Sequence, residues 1–199
     1  MISELDRKSF SLEALRNGDR AEFARLVETY SPMIYRLGLK MFNNPQDAED
    51  ILQETFIKAY KHIAKFDGRS NVSTWLYRIA TNEALMSLRR KHPEATSFEN
   101  SSVYGTEPQE PLQIVDWCCL PEKEFLTSEG GARLDEAAER LPANLRVVFI
   151  LRDIEGLSTR KTAEVLDISE MAVKTRLSRA RFGLREDLSE YFGKLIEKE

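Results

Sequence analysis

The stretch from Gly156 to Arg185 reads GLSTRKTAEVLDISEMAVKTRLSRARFGLR, and it decides the fold of the C-terminal part of the chain. Ser158 can cap a short helix that ends near Leu166, and Ser169 can cap a second, longer helix after a tight turn. In the second helix, apolar residues recur at positions i, i+4, i+7 and i+11, the spacing of one buried helix face: Val173, Leu177, Ala180 and Leu184.

The other faces of this second helix are basic and hydroxylated. Two short-linked helices, with the small residue Ala163 at their contact, form the layout of a helix-turn-helix, whose second helix enters the major groove of DNA. A basic face alone would favour a helical hairpin with a solvated surface, but the turn, the small residue and the basic face together predict DNA binding. The residues on this face are Lys174, Thr175, Ser178, Arg179 and Arg181.

Helical patterns also precede this motif. In the N-terminal part we predict helices from about Asp19 to Thr29, from Ser31-Pro32 to Phe42, from Pro45 to the Asp67-Gly68 break, and from Val72 to Lys91. The third of these has an apolar stripe of Ile51, Leu52, Phe56, Ala59, Tyr60 and Ile63. Further on, a helix from about Arg133 ends at Pro142, and Asn144 can cap the next, which ends at Gly156.

No segment shows the alternation of a β-strand, so the sequence predicts an all-α fold. Residues 93–131 contain four prolines, three glycines and a Ser/Thr/Asn cluster, which is the composition of a linker. We therefore expect two small helical domains, residues 1–92 and 132–199, joined by a flexible acidic linker.

Charge is segregated along the chain, although the net charge is only -4. Residues 69–91 and residues 170–185 each carry five cations against one acid. Between them, residues 94–139 carry eleven acids, opposed only by Lys123 and Arg133. This pattern indicates two separate contacts with nucleic acid and a connecting segment that avoids it.

Other classes of function lack support in the sequence. No apolar run approaches the roughly 20 residues of a membrane helix, and the acidic N-terminus is unlike a signal peptide, so we expect a cytoplasmic protein without membrane insertion. Cys118 and Cys119 are neighbours, and His62 and His92 are far from them, so we expect no metal site and no cofactor. No nucleophile–base pair or glycine-rich phosphate loop indicates an enzyme.

A second candidate contact lies in the N-terminal part. Arg78, Asn82 and Arg89 are spaced four and seven residues apart, almost on one stripe of the predicted helix from Val72 to Lys91. The polar loop at residues 67–74 precedes them. Such a loop beside a basic helix suits an extruded base of single-stranded DNA, whereas the alternative is a capped, solvated helix end.

Three stretches together resemble regions 2 and 4 of the extracytoplasmic-function sigma factors of bacterial RNA polymerase. They are NNPQDAEDILQETFIKAYKHIAKF (residues 43–66), STWLYRIATNEALMSLRR (residues 73–90) and LPANLRVVFILRDIEGLSTRKTAEVLDISEMAVKTRLSRAR (residues 141–181). They occur in the family's order and separation, and the resemblance covers nearly the whole chain except the linker and the ends. The rival interpretation is a one-domain helix-turn-helix regulator, which would bind duplex DNA tightly without polymerase.

The resemblance implies three binding surfaces and four partners. The partners are the clamp helices of the largest polymerase subunit, single-stranded DNA at the -10 element, duplex DNA at the -35 element and an anti-sigma factor. The implied residues for core polymerase are Asp47, Asp50, Gln53, Glu54 and Ile57, most of which also form a stripe away from the predicted core. Those for the -10 element are Arg69, Ser70, Asn71, Ser73, Trp75, Arg78, Asn82 and Arg89, and those for the -35 element are Ser169, Lys174, Thr175, Arg176, Ser178, Arg179 and Arg181.

Overall fold

The computed structural model describes residues 10–91 and 128–196, and every regular element in these two ranges is helical, which confirms the all-α class. The N-terminal unit (residues 10–91) contains α1 (Leu12–Arg16), α2 (Arg20–Phe42), α3 (Pro45–His62) with a 3₁₀ turn (Ile63–Lys65), and α4 (Val72–Lys91). The C-terminal unit (residues 128–196) contains α5 (Ser128–Arg140), α6 (Ala143–Phe149) with a π-helical turn (Ile150–Ile154), α7 (Thr159–Leu166) and α8 (Glu170–Ile196).

Helix α2 continues through Pro32, so the predicted break at Ser31-Pro32 is wrong. The Ser31 hydroxyl does not cap a new helix; it donates a hydrogen bond to the Val27 carbonyl at 2.6 Å, one turn back in the same helix. A proline inside a helix costs about 3 kcal/mol. The buried apolar side chains on both sides of it offset that cost, because a continuous helix is needed to bury them on one face: Leu26, Tyr30, Met33, Ile34 and Leu37.

Helices α2 and α3 approach each other closely at Gly38. A Cβ atom on Gly38 would lie 2.9 Å from the Cα of Ala48, so glycine is what permits this crossing. The side chain of Asn44 caps α3 by accepting hydrogen bonds from the N–H groups of Gln46 and Asp47. The predicted apolar stripe of α3 is buried or half-buried with one exception, Tyr60, which is about half exposed; its assignment to the core is wrong.

The C-terminal unit has the predicted helix-turn-helix. Ser158 and Ser169 accept hydrogen bonds from the N–H groups of Lys161 and Ala172, and the turn between the helices closes at Asp167 in the left-handed region (φ 54°). Ala163 is buried at the helix contact. The stripe of α8 that was predicted to face the core is buried throughout: Val173, Leu177, Ala180 and Leu184.

Two local predictions in the C-terminal unit fail. Helix α5 begins at Ser128, three residues before the predicted end of the linker at residue 131. Asn144 does not cap α6, because Pro142 occupies the N-cap position and Asn144 lies inside the helix. Proline sets a backbone angle suited to a helix start, and this places the first turn earlier than the asparagine predicts.

The two helical units pack against each other, with α4 against α7 and α2 against α5, α6 and the π-helical turn. Glu155, at the end of that turn, is central to the contact. Its carboxylate accepts hydrogen bonds from Nε and Nη2 of Arg36, both at 2.6 Å, and from the Tyr77 hydroxyl at 2.8 Å. The hydrogen bond with Glu155 raises the pKa of Arg36, and burial together with the nearby carboxylate raises that of Tyr77, so both remain donors.

Further cations cross the contact, Lys40 and Arg146 among them. Lys40 donates to both carboxylate oxygens of Asp135 at 2.7 Å. Arg146 is buried and donates to the Met41 carbonyl at 2.7 Å, and it also reaches the carbonyls of Glu139 and Leu141 in its own unit. Burial lowers the pKa of Arg146, and these carbonyl acceptors satisfy most of its donors.

Candidate nucleic-acid interfaces and docking surface

The outward face of α8 is exposed as predicted. Lys174, Thr175, Ser178 and Arg179 all lie in solvent, on the sides of the helix away from its buried stripe. The N-terminal half of this helix can therefore enter a major groove without rearrangement of the helix-turn-helix. Cationic ends suit phosphates, and the two hydroxyls suit base edges or phosphates.

The three other residues predicted to contact DNA here either bind another part of the protein or are partly buried. Arg181 makes a two-pronged ion pair with Asp153 at 2.9 and 2.7 Å, which raises its pKa and ties α8 to the π-helical turn. Arg176 is half-buried, and Ser169 uses its hydroxyl to cap the helix. Arg181 remains about half exposed in this pair, and its contact with DNA stays a prediction.

The predicted stripe on α4 is exposed, but one of its residues is hydrogen-bonded to the C-terminal unit. Asn82 and Arg89 lie in solvent. Arg78 donates from Nε and Nη2 to the backbone carbonyl of Glu164 in α7, at 3.2 and 2.5 Å. Ser73 is only 2% exposed in the first turn of α4, so in this arrangement it is not accessible to DNA.

The loop before α4 presents a compact polar surface. Gly68 has a φ of +78°, and the Asp67 carboxylate accepts the N–H of Arg69 and pairs with its guanidinium at 2.8 Å. Arg69 is highly exposed in this arrangement. Asn71 is exposed and Ser70 is half-buried, so the loop places the predicted residues together at the N-terminal end of α4.

Trp75 lies beside this loop and is half-buried. Its ring packs at a tilt on Phe66, with ring centroids 5.0 Å apart. The Phe66 carbonyl accepts two hydrogen bonds from Arg16 at 2.9 and 2.6 Å, which hold the base of the loop against α1. Phe66 therefore covers part of the indole, and the exposed part is what a base could contact.

The residues predicted to bind core polymerase lie on α3. Asp50, Gln53 and Glu54 are exposed, and Ile57 is 46% exposed beside them. Ile57 and Gln53 line an apolar groove whose other walls the sequence did not predict as functional: Phe23, Phe56, Tyr60 and Lys61. Tyr60 follows Ile57 by three residues and contacts Phe23 edge-on at 5.0 Å, so the spacing could have indicated it.

Asp47, also predicted for this surface, is placed differently. It is half-buried, and its carboxylate pairs with Lys91 at the end of α4. It thus links α3 to α4 in addition to lying at the start of the acidic stripe.

Other sites are not seen in the described ranges. No cluster of three metal-binding side chains occurs among residues 10–91 and 128–196, and none of the helices there is long and apolar enough to cross a membrane. Cys118, Cys119 and most of the predicted acidic linker lie outside the described residues.

The exposed basic face of a helix-turn-helix is typical of DNA-binding proteins. The family description "Sigma-70 region 2" matches residues 26–93, and "Sigma-70, region 4" matches residues 131–181. The chain is 38% identical to the ECF RNA polymerase sigma factor SigW of Bacillus subtilis, over 89% of this chain and 94% of that protein. It is 37% identical to the ECF RNA polymerase sigma-E factor of Haemophilus influenzae, over 85% and 89%.

The chain belongs to the ECF sigma factors of RNA polymerase. It binds core polymerase and directs promoter-specific initiation of transcription, and it is not an enzyme. Two solved structures share its fold. These are the Bartonella quintana sigma factor RpoE, with a TM-score of 0.59 and 24% identity over 84% of this chain and 97% of that one, and CnrH, with a TM-score of 0.62 and 21% identity over 90% and 95%.

Proposed function

We propose that three surfaces of this chain each bind a different partner during transcription initiation. The exposed stripe of α3, with Ile57 at its apolar groove, binds the clamp helices of the largest polymerase subunit. The loop at residues 67–71 and the outward face of α4 capture the melted -10 strand. The outward face of α8 reads the duplex -35 element, with Lys174, Thr175, Ser178 and Arg179 as its contacts.

The observation that carries this proposal is the exposed basic face of α8 above a completely buried apolar stripe. Any solvent-facing side of a helix is polar, but residues 170–181 carry four cations against one acid, and the helix is the second of a helix-turn-helix. The α3 surface supports the division, because exposed acids around an accessible isoleucine suit a protein partner better than a phosphate backbone.

The packing of the two helical units bears on how the chain reaches both promoter elements. Arg78 of the proposed -10 surface is held by α7 of the helix-turn-helix. The -10 and -35 elements are separate places on a promoter, so the two units have to move apart to reach both. Polymerase supplies a surface on which they can do so.

Control by an anti-sigma factor and a cytoplasmic location complete the proposal. The solved RpoE structure of similar fold is a complex with the anti-sigma factor NepR. A partner of this kind would keep the chain from polymerase until a signal releases it. The cytoplasmic location follows from the role in transcription initiation, since core polymerase and promoters are in the cytoplasm.

The test is transcription by reconstituted holoenzyme. Core polymerase is mixed with the wild-type chain and a library of templates with randomised -35 and -10 elements, and run-off transcripts are sequenced. We expect transcripts that depend on the chain and that come from templates sharing two sequence elements. Transcripts equal to those of core polymerase alone, or enrichment of a single element, would contradict the proposed division. The matched variant Arg179→Ala should relax the -35 element and leave the -10 element intact.

A further inference from the structure

The outward face of α8 carries a large apolar side chain at its leading end. Five large apolar residues are exposed among those that the structure describes, and Met171 is the most exposed of them, at 70%. Single exposed apolar residues are common on protein surfaces, so exposure by itself indicates nothing. The position of Met171 is what makes it informative.

Met171 belongs to a straight row on α8. Residues at i, i+4, i+7 and i+11 lie on one helix face, and here that face is opposite the buried stripe. The row consists of Met171, Thr175, Ser178 and Phe182, all exposed. Lys174 flanks it on one side and Arg179 on the other. The cations on both flanks can hold phosphates while the row faces the floor of the groove.

The apolar residues at the two ends of the row, Met171 and Phe182, would lie at different positions relative to a DNA groove. The N-terminal residues of a recognition helix are those that reach base edges, and Met171 is the second residue of α8. Phe182 lies eleven residues further on, about 16 Å along the axis, and so outside the N-terminal part of the helix that reaches base edges. Met171 therefore faces bases when α8 enters the groove, and Phe182 does not.

A methionine side chain cannot read a base by hydrogen bonding in the way that arginine or asparagine does. The major-groove edge offers it one apolar group, the C5-methyl of thymine. An unbranched thioether chain can adapt its shape to such a methyl group. No polar group of a base edge would gain from the contact.

We propose that Met171 contacts the C5-methyl group of a thymine in the -35 element and selects a T·A pair at that position. This inference rests on the proposed role of α8 as the -35 reader, and it adds a determinant of specificity to the polar contacts. The contact lies at the end of the row that enters the groove first, next to the bases that Thr175 reaches.

The test removes the methyl group from the DNA and the side chain from the protein. The preferred -35 element is first selected with wild-type holoenzyme, and each thymine in it is then replaced singly by deoxyuridine, which differs only in lacking the methyl. Burial of one such group is worth ~0.8 kcal/mol, or about fourfold in affinity. We expect one replacement to weaken promoter binding by wild-type holoenzyme about fourfold and to have no effect on Met171→Ala holoenzyme.

Two further variants serve as matched controls. Met171→Leu keeps an apolar side chain of similar size and should retain the dependence on the methyl group. Phe182→Ala removes an exposed apolar residue from the same row and should behave as the wild type. The inference is overturned if no thymine methyl affects the wild type, or if the same loss persists in Met171→Ala. The inference is also overturned if Met171→Ala weakens promoter binding equally on every template, because Met171 would then contact protein and not a thymine.

The same experiment separates this inference from the proposed function. If Arg179→Ala leaves the selected -35 sequence as it is in the wild type, then α8 is not the -35 reader and both proposals fail. If Arg179→Ala relaxes that sequence while no methyl effect appears, only the assignment of Met171 fails.

Discussion

The carboxylate of Glu155 accepts both hydrogen bonds of a two-pronged contact with Arg36, a residue 119 positions earlier in the chain. The side chain of Glu155 is 1% exposed and that of Arg36 is 38% exposed, so the carboxylate is the buried partner. A buried carboxylate that loses its donors retains the cost of its desolvation. The contact between the two helical units therefore depends on this pair more than on the other ion pairs of the surface.

Glu155→Gln should lower the free energy of unfolding by about 2 kcal/mol, the range for hydrogen bonds to charged groups. The amide keeps an acceptor for Tyr77 but loses the charge that Arg36 requires. Urea denaturation measures the change. Arg160→Ala breaks the exposed pair with Glu164 and should cost less than about 0.5 kcal/mol; equal effects of the two substitutions would disprove the special role of Glu155.

Gly38→Ala should destabilise the N-terminal unit, because the new methyl group would meet the backbone of Ala48 at 2.9 Å. Overpacking of this kind costs about 1–3 kcal/mol, which exceeds the gain of about 1 kcal/mol from removing a helical glycine. Gly131→Ala is the matched control, since a methyl group there meets nothing within 4 Å. It should leave stability unchanged or raise it, and thermal denaturation of both variants checks the pair.

Ile57→Arg, and separately the double reversal of Asp50 and Glu54 to Lys, should weaken binding to core polymerase about tenfold or more, which corresponds to ~1.4 kcal/mol. These side chains lie in solvent, so the fold should remain intact. A pull-down with core polymerase gives the affinity, and circular dichroism checks the fold. Glu28→Lys, a reversal at an exposed position of α2, is the control, and undiminished binding by the α3 variants would remove the docking assignment.

The free chain should bind promoter duplex weakly, with a dissociation constant near the 10⁻⁴–10⁻⁶ M range of non-specific binding. Its net charge of -4 opposes the approach of DNA, and Arg78 is held by the Glu164 carbonyl. Fluorescence anisotropy at physiological salt measures the affinity, with assembled holoenzyme as the reference. Nanomolar, sequence-specific binding by the free chain would favour an autonomous regulator instead.

Arg179→Ala and Asn82→Ala should fail at different steps. Loss of a base contact by Arg179 should cost about 1–3 kcal/mol in binding of the closed complex. Asn82→Ala should leave that binding nearly intact and reduce strand opening, because the face of α4 acts after melting. Filter binding reports the closed complex and permanganate footprinting reports melting.

A template that is already melted at -10 should restore only part of the activity of Asn82→Ala, since capture of the base is lost as well. If both variants weakened duplex binding equally and melted DNA normally once bound, the N-terminal unit would be only a second duplex contact.

Local signals in the sequence were enough to predict most helices. The bounds of α4, the start of α3 at Pro45 and the buried stripe of α8 follow from periodicity and capping residues within one or two turns. The prediction failed at Ser31-Pro32 because burial on both sides of the proline outweighs its local preference. The burial of Ser73 was likewise not predictable, because a serine in a polar stretch of sequence gives no sign that the first turn of its helix packs inward.

Contacts between distant residues could not be predicted. Nothing near Arg36 or Glu155 marks them as partners, and the pairing of Arg181 with Asp153 across 28 residues is equally invisible in the sequence. The apolar groove beside Ile57 needed the structure for the same reason, since Phe23 reaches it from a different helix. Composition and spacing indicate which surfaces are charged, but the packing decides which of those charges are available.

Two of the contacts between the helical units have a main-chain acceptor. Arg78 binds the carbonyl of Glu164, and Arg146 binds the carbonyl of Met41. Every amino acid supplies that carbonyl, so replacing the side chain at 164 or 41 does not delete the acceptor. A genetic screen for variants whose two helical units separate should thus recover substitutions of Arg78, Arg146 and Glu155. It should rarely recover substitutions of Glu164, because they leave the accepting carbonyl in place. A substitution can therefore remove either of these two hydrogen-bonded contacts only by replacing the arginine that donates.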